Sequence, residues 1–277
     1  MRSSVALSRA LDMYRASDHT VASTDFLSPR EIAEVYNELI ARIGTGISRC
    51  FFWGGSRGAE RCAAVFLPEW LIDRDFPGFS FPGNAERTEA FSRFLVDNPD
   101  VLGEIPITAL RITGSGFRNL THRDFMGGVL SLGITREVVG DIAVMSESEA
   151  VMFVSSRIAD FITSELTKIG RDRVTAERFD AGPGFEIPRK YEDKTLNVAS
   201  MRLDCFVKAI TGRSRSEAGE MVRLGLADLS YDTPLDVSAK VESGDIISVR
   251  GYGKYIIGEQ TGTTKSGMLK VACRKYI

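Results

Sequence analysis

The sequence predicts an α+β protein in three segments, and three observations predict it. Amphipathic helical stretches opened by S/T-x-x-E boxes recur along the chain, as at Ser28-Pro29-Arg30-Glu31 and Ser214-Arg215-Ser216-Glu217. Short apolar, strand-like runs lie between them, rather than the long heptads of a coiled coil. The stretch Asp180-Ala181-Gly182-Pro183-Gly184 has linker composition and sets off a tail. The expected partition is an N-terminal helical α/β module with a β-hairpin over 1–80, a second α+β segment over 81–182, and a tail domain over 195–277.

The N-terminal segment begins with a helical pattern in Val5, Ala6, Leu7, Leu11 and Tyr14. A second helix starts with Ser28 as N-cap, Pro29 at the first helical position and Glu31 at the third, and Ile32, Val35, Tyr36, Leu39 and Ile40 form its apolar stripe. Cys50-Phe51-Phe52-Trp53 and 62–67 read as two strands about the glycine-rich connection 54–58. The Pro-, Gly- and Phe-rich stretch 75–84 reads as a boundary loop.

In the middle segment 107–113 is a strand, and Thr121-His122-Arg123-Asp124 opens a helix bearing Phe125, Val129 and Leu132. Strands follow at 139–145 and 150–154, then a helix with Ile158, Phe161, Ile162 and Leu166, then a strand at 174–179. The order βαββαβ predicts a ferredoxin-like split fold, which RNA-recognition modules also use. The third strand, Glu-Ala-Val-Met-Phe-Val-Ser over 149–155, lacks the aromatic signature of those modules, so this domain is expected to act as a scaffold or through its loops. The tail carries two short helices, one with Leu203, Phe206, Val207 and Ile210 and one begun by Ser214, followed by strands at 226–230 and 246–249.

The chain of 277 residues is 43% hydrophobic and 26% charged, which excludes a disordered or collagen-like polymer. No run approaches the roughly 18 apolar residues of a membrane span, and no signal peptide opens the chain. Cys50, Cys62, Cys205 and Cys273 have no C-x-x-C spacing, so neither a disulfide framework nor a thiolate zinc site is expected, and a reducing cytoplasm is the natural compartment. The net charge of −2 is unevenly spread: 194–277 holds 13 Lys and Arg against 9 Asp and Glu, and the remainder 22 against 28. A basic tail on an acidic body suits docking on a polyanion.

Three motifs invite enzymatic readings and fail them. His122-Arg123-Asp124 resembles a kinase catalytic triplet, but Val129 stands where that loop needs Asn, and a helix cap explains Thr121 and Asp124. Gly114-Ser115-Gly116 lacks the third glycine of a dinucleotide loop, since position 119 is Asn119, and a turn is the better reading. Gly54 to Gly58 lacks the G-K-[ST] ending of a P-loop. With His19 the only other histidine, a His-rich metal site or triad is poorly supported.

Arg202-Leu203-Asp204, Ser214-Arg215-Ser216-Glu217-Ala218, Gly225 and Gly244-Asp245-Ile246-Ile247-Ser248-Val249 resemble, in order and spacing, the S4 (αL) RNA-binding domain. The segment 226–230 departs from it, reading Leu-Ala-Asp-Leu-Ser where the domain is often basic. Arg202 and Arg215 fall at helix starts, where backbone N–H groups and the helix dipole also favour phosphate, and Lys208, Arg213, Ser214 and Arg223 extend the expected RNA-binding set. Further strings widen the resemblance to nearly the whole chain: Thr24-Asp25-Phe26-Leu27, Gly54-Gly55 with Ala59-Glu60-Arg61, Leu120-Thr121-His122-Arg123-Asp124, Thr135-Arg136-Glu137 and Gly140-Asp141-Ile142 are similar to those of the bacterial YlmH family. That resemblance implies a non-enzymatic RNA-binding protein acting on rRNA or tRNA of the large ribosomal subunit, in quality control of stalled subunits holding peptidyl-tRNA. It implies no cofactor, metal, membrane or small-molecule substrate. The alternative is an RNA-modifying enzyme of pseudouridine synthase or methyltransferase type with the S4 domain as its substrate grip. Against it, the only R-L-D lies inside the S4 pattern, and no glycine-rich cofactor loop follows a Rossmann strand.

Overall fold

The computed structural model describes residues 2–76, 84–182, 184–230 and 234–277, with side chains described from residue 5 and outside 84–89. The chain divides into two compact units, Met1–Pro188 and Arg189–Ile277.

The first unit begins with α1 (Arg2–Ala16), β1 (Ala22–Leu27) and α2 (Pro29–Ile43), followed by a 3-10 turn over Gly44–Arg49, β2 (Cys50–Trp53) and β3 (Cys62–Phe66). The three strands form one antiparallel sheet in the order β1-β3-β2. Alternation along β2 splits its side chains between two layers. Cys50 and Phe52 pack with α1 and α2, whereas Phe51 and Trp53 pack with α3 (Glu69–Asp75), α4 (Asn84–Asp97) and α5 (Pro99–Glu104). Phe51 stacks on Phe91 at 4.5 Å between ring centroids, so the Phe-Phe-Trp cluster is core packing. Residues 77–83, within the expected boundary loop, lie outside the described residues.

Next come β4 (Ile107–Gly114), α6 (His122–Leu130), a 3-10 turn over Arg136–Val138, β5 (Val139–Val144), β6 (Glu149–Ser155), α7 (Ser156–Glu165), β7 (Lys168–Ile169) and β8 (Asp172–Phe179). The sheet order is β5-β6-β4-β8-β7, every pair antiparallel. One face buries Leu110, Ile112, Met152 and Val154 under Phe125, Val129, Ala159 and Ile162 of the two helices. The opposite face, which a bare RNA-recognition sheet keeps open for bases, is covered: Ala109, Val151 and Phe153 pack with Phe26, Phe179 and Phe185. Phe153 meets Phe185 edge-on at 5.9 Å, and a Cβ on Gly55 would come within 2.3 Å of the Phe153 ring.

Gly140 has the same tightness. A Cβ there would lie 2.6 Å from the ring of Phe26, itself 2% exposed. Gly140→Ala should therefore lower stability by about 1–3 kcal/mol through overpacking, measured as a shifted denaturant midpoint at constant m.

The second unit holds β9 (Tyr191–Val198), α8 (Leu203–Thr211), α9 (Arg215–Arg223), β10 (Ala227–Leu229), β11 (Ile246–Val249), β12 (Gly253–Thr263) and β13 (Leu269–Tyr276). Its antiparallel sheet runs β10-β11-β12-β13-β9 and packs Leu196, Ile247, Ile257 and Val271 against Phe206, Val207, Ala218 and Val222 of the helix pair. Lys270 pairs with Asn197 in the sheet, and Lys265 caps the β12–β13 hairpin.

Candidate nucleic-acid interface

In the second unit two of the six predicted site residues, Arg202 and Arg215, meet on one buried carboxylate. Asp204, in the first turn of α8, has a side chain only 5% exposed. Arg202 grips it in a fork, Nε donating to Oδ1 at 3.0 Å and Nη2 to Oδ2 at 3.1 Å. Arg215, the first residue of α9, donates from Nε to Oδ2 at 3.4 Å. Burial alone would raise the Asp204 pKa, but the hydrogen bonds and charge of Arg202, with Cys205 and Arg215 behind them, hold it below the ordinary carboxylate value. One anion thus fixes two guanidinium groups from two helix starts. Arg215 stays 64% and Arg202 36% exposed, leaving both able to donate outward.

The neighbouring residues are committed in different ways. Arg213 donates from Nε to the Tyr252 hydroxyl at 3.1 Å and pairs with Glu217 at 3.4 Å. The Ser214 hydroxyl donates to Glu217 at 2.7 Å and accepts from the Glu217 amide at 3.3 Å, which completes a capping box. Arg223 pairs with Glu220 at 3.3 Å at the far end of α9, and exposed Lys208 sits in the last turn of α8. The fork around Asp204 therefore joins Arg202 and Arg215 but not Lys208 or Arg223.

The expected gain from free helix N-terminal amides does not hold at α8. Its first two N–H groups are already bonded, Leu203 N to Ala239 O at 2.9 Å and Asp204 N to Val237 O at 3.1 Å. An incoming phosphate there meets side chains, not orphan amides.

In the first unit the motif-bearing strings converge on a seam between β1, the 59–61 loop and β5. Asp141 accepts from the amides of Glu60 at 2.7 Å and Arg61 at 3.2 Å. The Arg61 guanidinium donates to the carbonyls of Val139 at 3.0 Å, Arg136 at 3.1 Å and Phe26 at 3.3 Å. Arg136 in turn donates to Val139 O at 3.0 Å and Gly140 O at 3.2 Å. Burial, then the nearby Arg61 charge, lowers the Arg136 pKa to about 10. Burial and Arg136 also lower His122, against an opposing pull from Asp141. No sequence spacing joined these residues: Arg61 and Asp141 are 80 positions apart. Their presence in the quoted strings was the available signal.

His122 and Asp124 stand at the start of α6. Thr121 and Asp124 form a reciprocal capping box, and Arg118 pairs with Asp124 at 2.8 Å. Hydrogen bonds from the Thr121 side chain and backbone, aided by Arg118, hold the Asp124 carboxyl below its ordinary value of 3.8. A carboxylate depressed by folding stabilises above its unfolded pKa and loses that contribution as pH falls through the folded value. Asp124→Ala is accordingly expected to cost about 0.5–2 kcal/mol near neutral pH. The gap to the parent should close in unfolding curves taken below about pH 4.

No helix among the described residues is long and apolar enough to cross a membrane. Residues 104–182 match the family model described as "Putative RNA-binding domain in YlmH". The chain is 28% identical over 251 residues to the ribosome-associated protein quality control protein P2 of Bacillus subtilis strain 168, covering 90% of this chain and 84% of that relative. Among solved structures, the cell division protein ylmH from Streptococcus pneumoniae aligns with 17% identity and a TM-score of 0.42, over 65% of this chain and 93% of that one. The chain is thus similar to YlmH proteins in its middle segment and, along nine-tenths of its length, to a ribosome-associated quality control protein.

Proposed function

We propose that the chain is a non-enzymatic RNA-binding protein of the bacterial cytoplasm that docks on rRNA or tRNA of the large ribosomal subunit, on stalled subunits that carry peptidyl-tRNA. The middle segment is a ferredoxin-like scaffold, and the tail is an S4-type domain that grips phosphate. The observation that carries this reading is the buried Asp204 with Arg202 and Arg215 held on it. Pre-fixed guanidinium forks lose little freedom when they meet a phosphate and recognise it with two donors each. The ribosomal setting is supported by the similarity to the ribosome-associated quality control protein of Bacillus subtilis.

The test is sedimentation of the full chain with intact ribosomes, separated subunits and free RNA, with and without nuclease. Cosedimentation with large subunits, abolished by nuclease and weakening with salt at about −0.9 log units of affinity per log unit of salt for each neutralised phosphate, is the expected result. A fragment spanning 189–277 should retain RNA affinity at low salt. Binding that survives nuclease would overturn the RNA reading in favour of a protein partner.

A further inference from the structure

We propose that the loop 114–119, together with the turn at 170–173, is a second RNA-contact site, taking an unpaired base on Phe117 and phosphates on the cations around it. The proposal rests on the reading that the chain binds RNA. It adds a place in the first unit, apart from the arginines of the tail.

The covered sheet face is the first reason to look elsewhere. With Ala109, Val151 and Phe153 packed under Phe26 and Phe185, no base can stack on this sheet in the manner of an RNA-recognition module. A domain of that topology must then contact RNA through its rim. The rim at the end of β4 presents Phe117, 77% exposed and the most exposed aromatic side chain among the described residues.

That ring stands on a fixed loop. Gly114 N donates to Ser148 O at 2.7 Å, Ser115 N to Arg173 O at 2.9 Å, and Leu120 N to Glu147 O at 2.7 Å. The Ser115 hydroxyl donates to the carboxylate of Asp172, a fully buried residue whose Oδ2 has no partner among the described residues. A Cβ on Gly114 would meet Leu120 at 2.9 Å and that Oδ2 at 3.0 Å, and Gly116 turns the chain at φ +78°. The backbone is thus pinned on both sides of Phe117 while its ring is held in solvent.

The charge around the ring is positive and largely unspent. Arg118 lies against Gly170 and pairs with Asp124 at 2.8 Å. Arg123, Arg171 and Arg173 are exposed, with no ion pair to any described residue. Lys168 sits directly across the β7–β8 ladder from Arg173, a like-charge pairing that costs stability in the free protein. A polyanion relieves that cost. The acids at the margin are exposed Glu147 and half-buried Asp124, the latter already used by Thr121 and Arg118. One exposed aromatic ring on a loop bonded to the turn that carries Arg171 and Arg173 is an arrangement that stacks a base and tracks its backbone. A protein-docking patch would need a wider apolar area.

The experiment measures binding of the full chain to two RNAs, a hairpin with an unpaired loop and a blunt duplex of similar length. The variants are Phe117→Ala, Arg171→Ala with Arg173→Ala, and Arg202→Ala with Arg215→Ala, the two loop variants checked for an unchanged melting temperature and the last for a retained fold at the assay temperature. Phe117→Ala should weaken hairpin binding about tenfold and leave duplex binding within about twofold, because stacking needs an unpaired base. The Arg171/Arg173 pair should lower affinity for both RNAs and reduce the hairpin salt slope by about 1.4, the value for two phosphate contacts on a single strand. If both loop variants bind both RNAs like the parent while the Arg202/Arg215 variant loses affinity, this site is wrong and the tail reading stands. Equal loss on hairpin and duplex in Phe117→Ala would also overturn it, by assigning the ring a structural role. A parent chain that binds neither RNA removes both readings.

Discussion

Replacing Arg202 and Arg215 together with alanine is expected to lower the affinity of the full chain for large ribosomal subunits at least tenfold at matched salt. Each guanidinium offers a charge-assisted contact worth about 1.5–3 kcal/mol, and 1.4 kcal/mol is a factor of ten. The exposed position of the two residues in sequence terms suggests that folding should hardly change, but the structure corrects this. Both arginines neutralise a carboxylate whose side chain is only 5% exposed, and removing them leaves that charge buried alone. Breaking a buried pair from one side costs about 3–5 kcal/mol, and the partial exposure of Arg202 puts the expected cost near or below the lower end. Adding Asp204→Leu to the double variant should restore much of the stability, since apolar replacement of a buried ion cluster is often neutral, yet affinity should stay low. Lys265→Ala with Lys270→Ala should do less, because neither lysine is held on an anchor of this kind. Cosedimentation and denaturant unfolding on the same samples check both halves. An arginine variant that stays bound like the parent while the lysine variant falls off would show the binding face to be wrongly assigned.

The second large effect is expected at Arg61. Its guanidinium satisfies the carbonyls of Val139, Arg136 and Phe26, from two separate stretches of chain. Arg61→Ala removes the donor to Arg136 O and Phe26 O at a half-buried seam, while Val139 O keeps its bond from Arg136, and an unmade bond to a buried group costs about 1–3 kcal/mol each. Water reaching the seam offsets part of this, so a total loss of about 3 kcal/mol is expected. Arg61→Lys should recover less than half of it, because a compact ammonium cannot span the fork. A chemical-denaturation midpoint for Arg61→Ala within about 0.5 kcal/mol of the parent would mean that the seam is held by Asp141 and Phe26 alone.

Local signals were legible where a single helix or strand carries its own instruction. The three capping boxes at Ser28, Thr121 and Ser214 all form, because an S/T-x-x-E/D pattern satisfies its own amides within one turn. The order of strands and helices between 107 and 179 was equally readable from alternating apolar runs, except for the two-residue β7, which only its pairing with β8 makes a strand. β9 was not. Its Tyr-Glu-Asp-Lys-Thr-Leu-Asn-Val reads as a polar stretch, and only pairing with β13 along eight residues makes it a strand. β12 was hidden by its glycines and by two register shifts, and β1 by a Ser-Thr-Asp run that only its bulged pairing with β3 supports.

The sequence by itself determined the α+β class, the capped helices, the basic tail and which arginines stand at helix starts. Each of these depends on residues within a few positions of one another, where backbone geometry and charge act locally. Only the tertiary structure decided that Arg202 and Arg215 share one buried carboxylate. It also decided that Arg61, Arg136 and Asp141 meet at one seam, that the sheet face is closed under Phe26 and Phe185, and that Phe117 is left in solvent. These are contacts between segments tens of residues apart, and whether a charge is paired or a ring covered depends on what the fold brings against it.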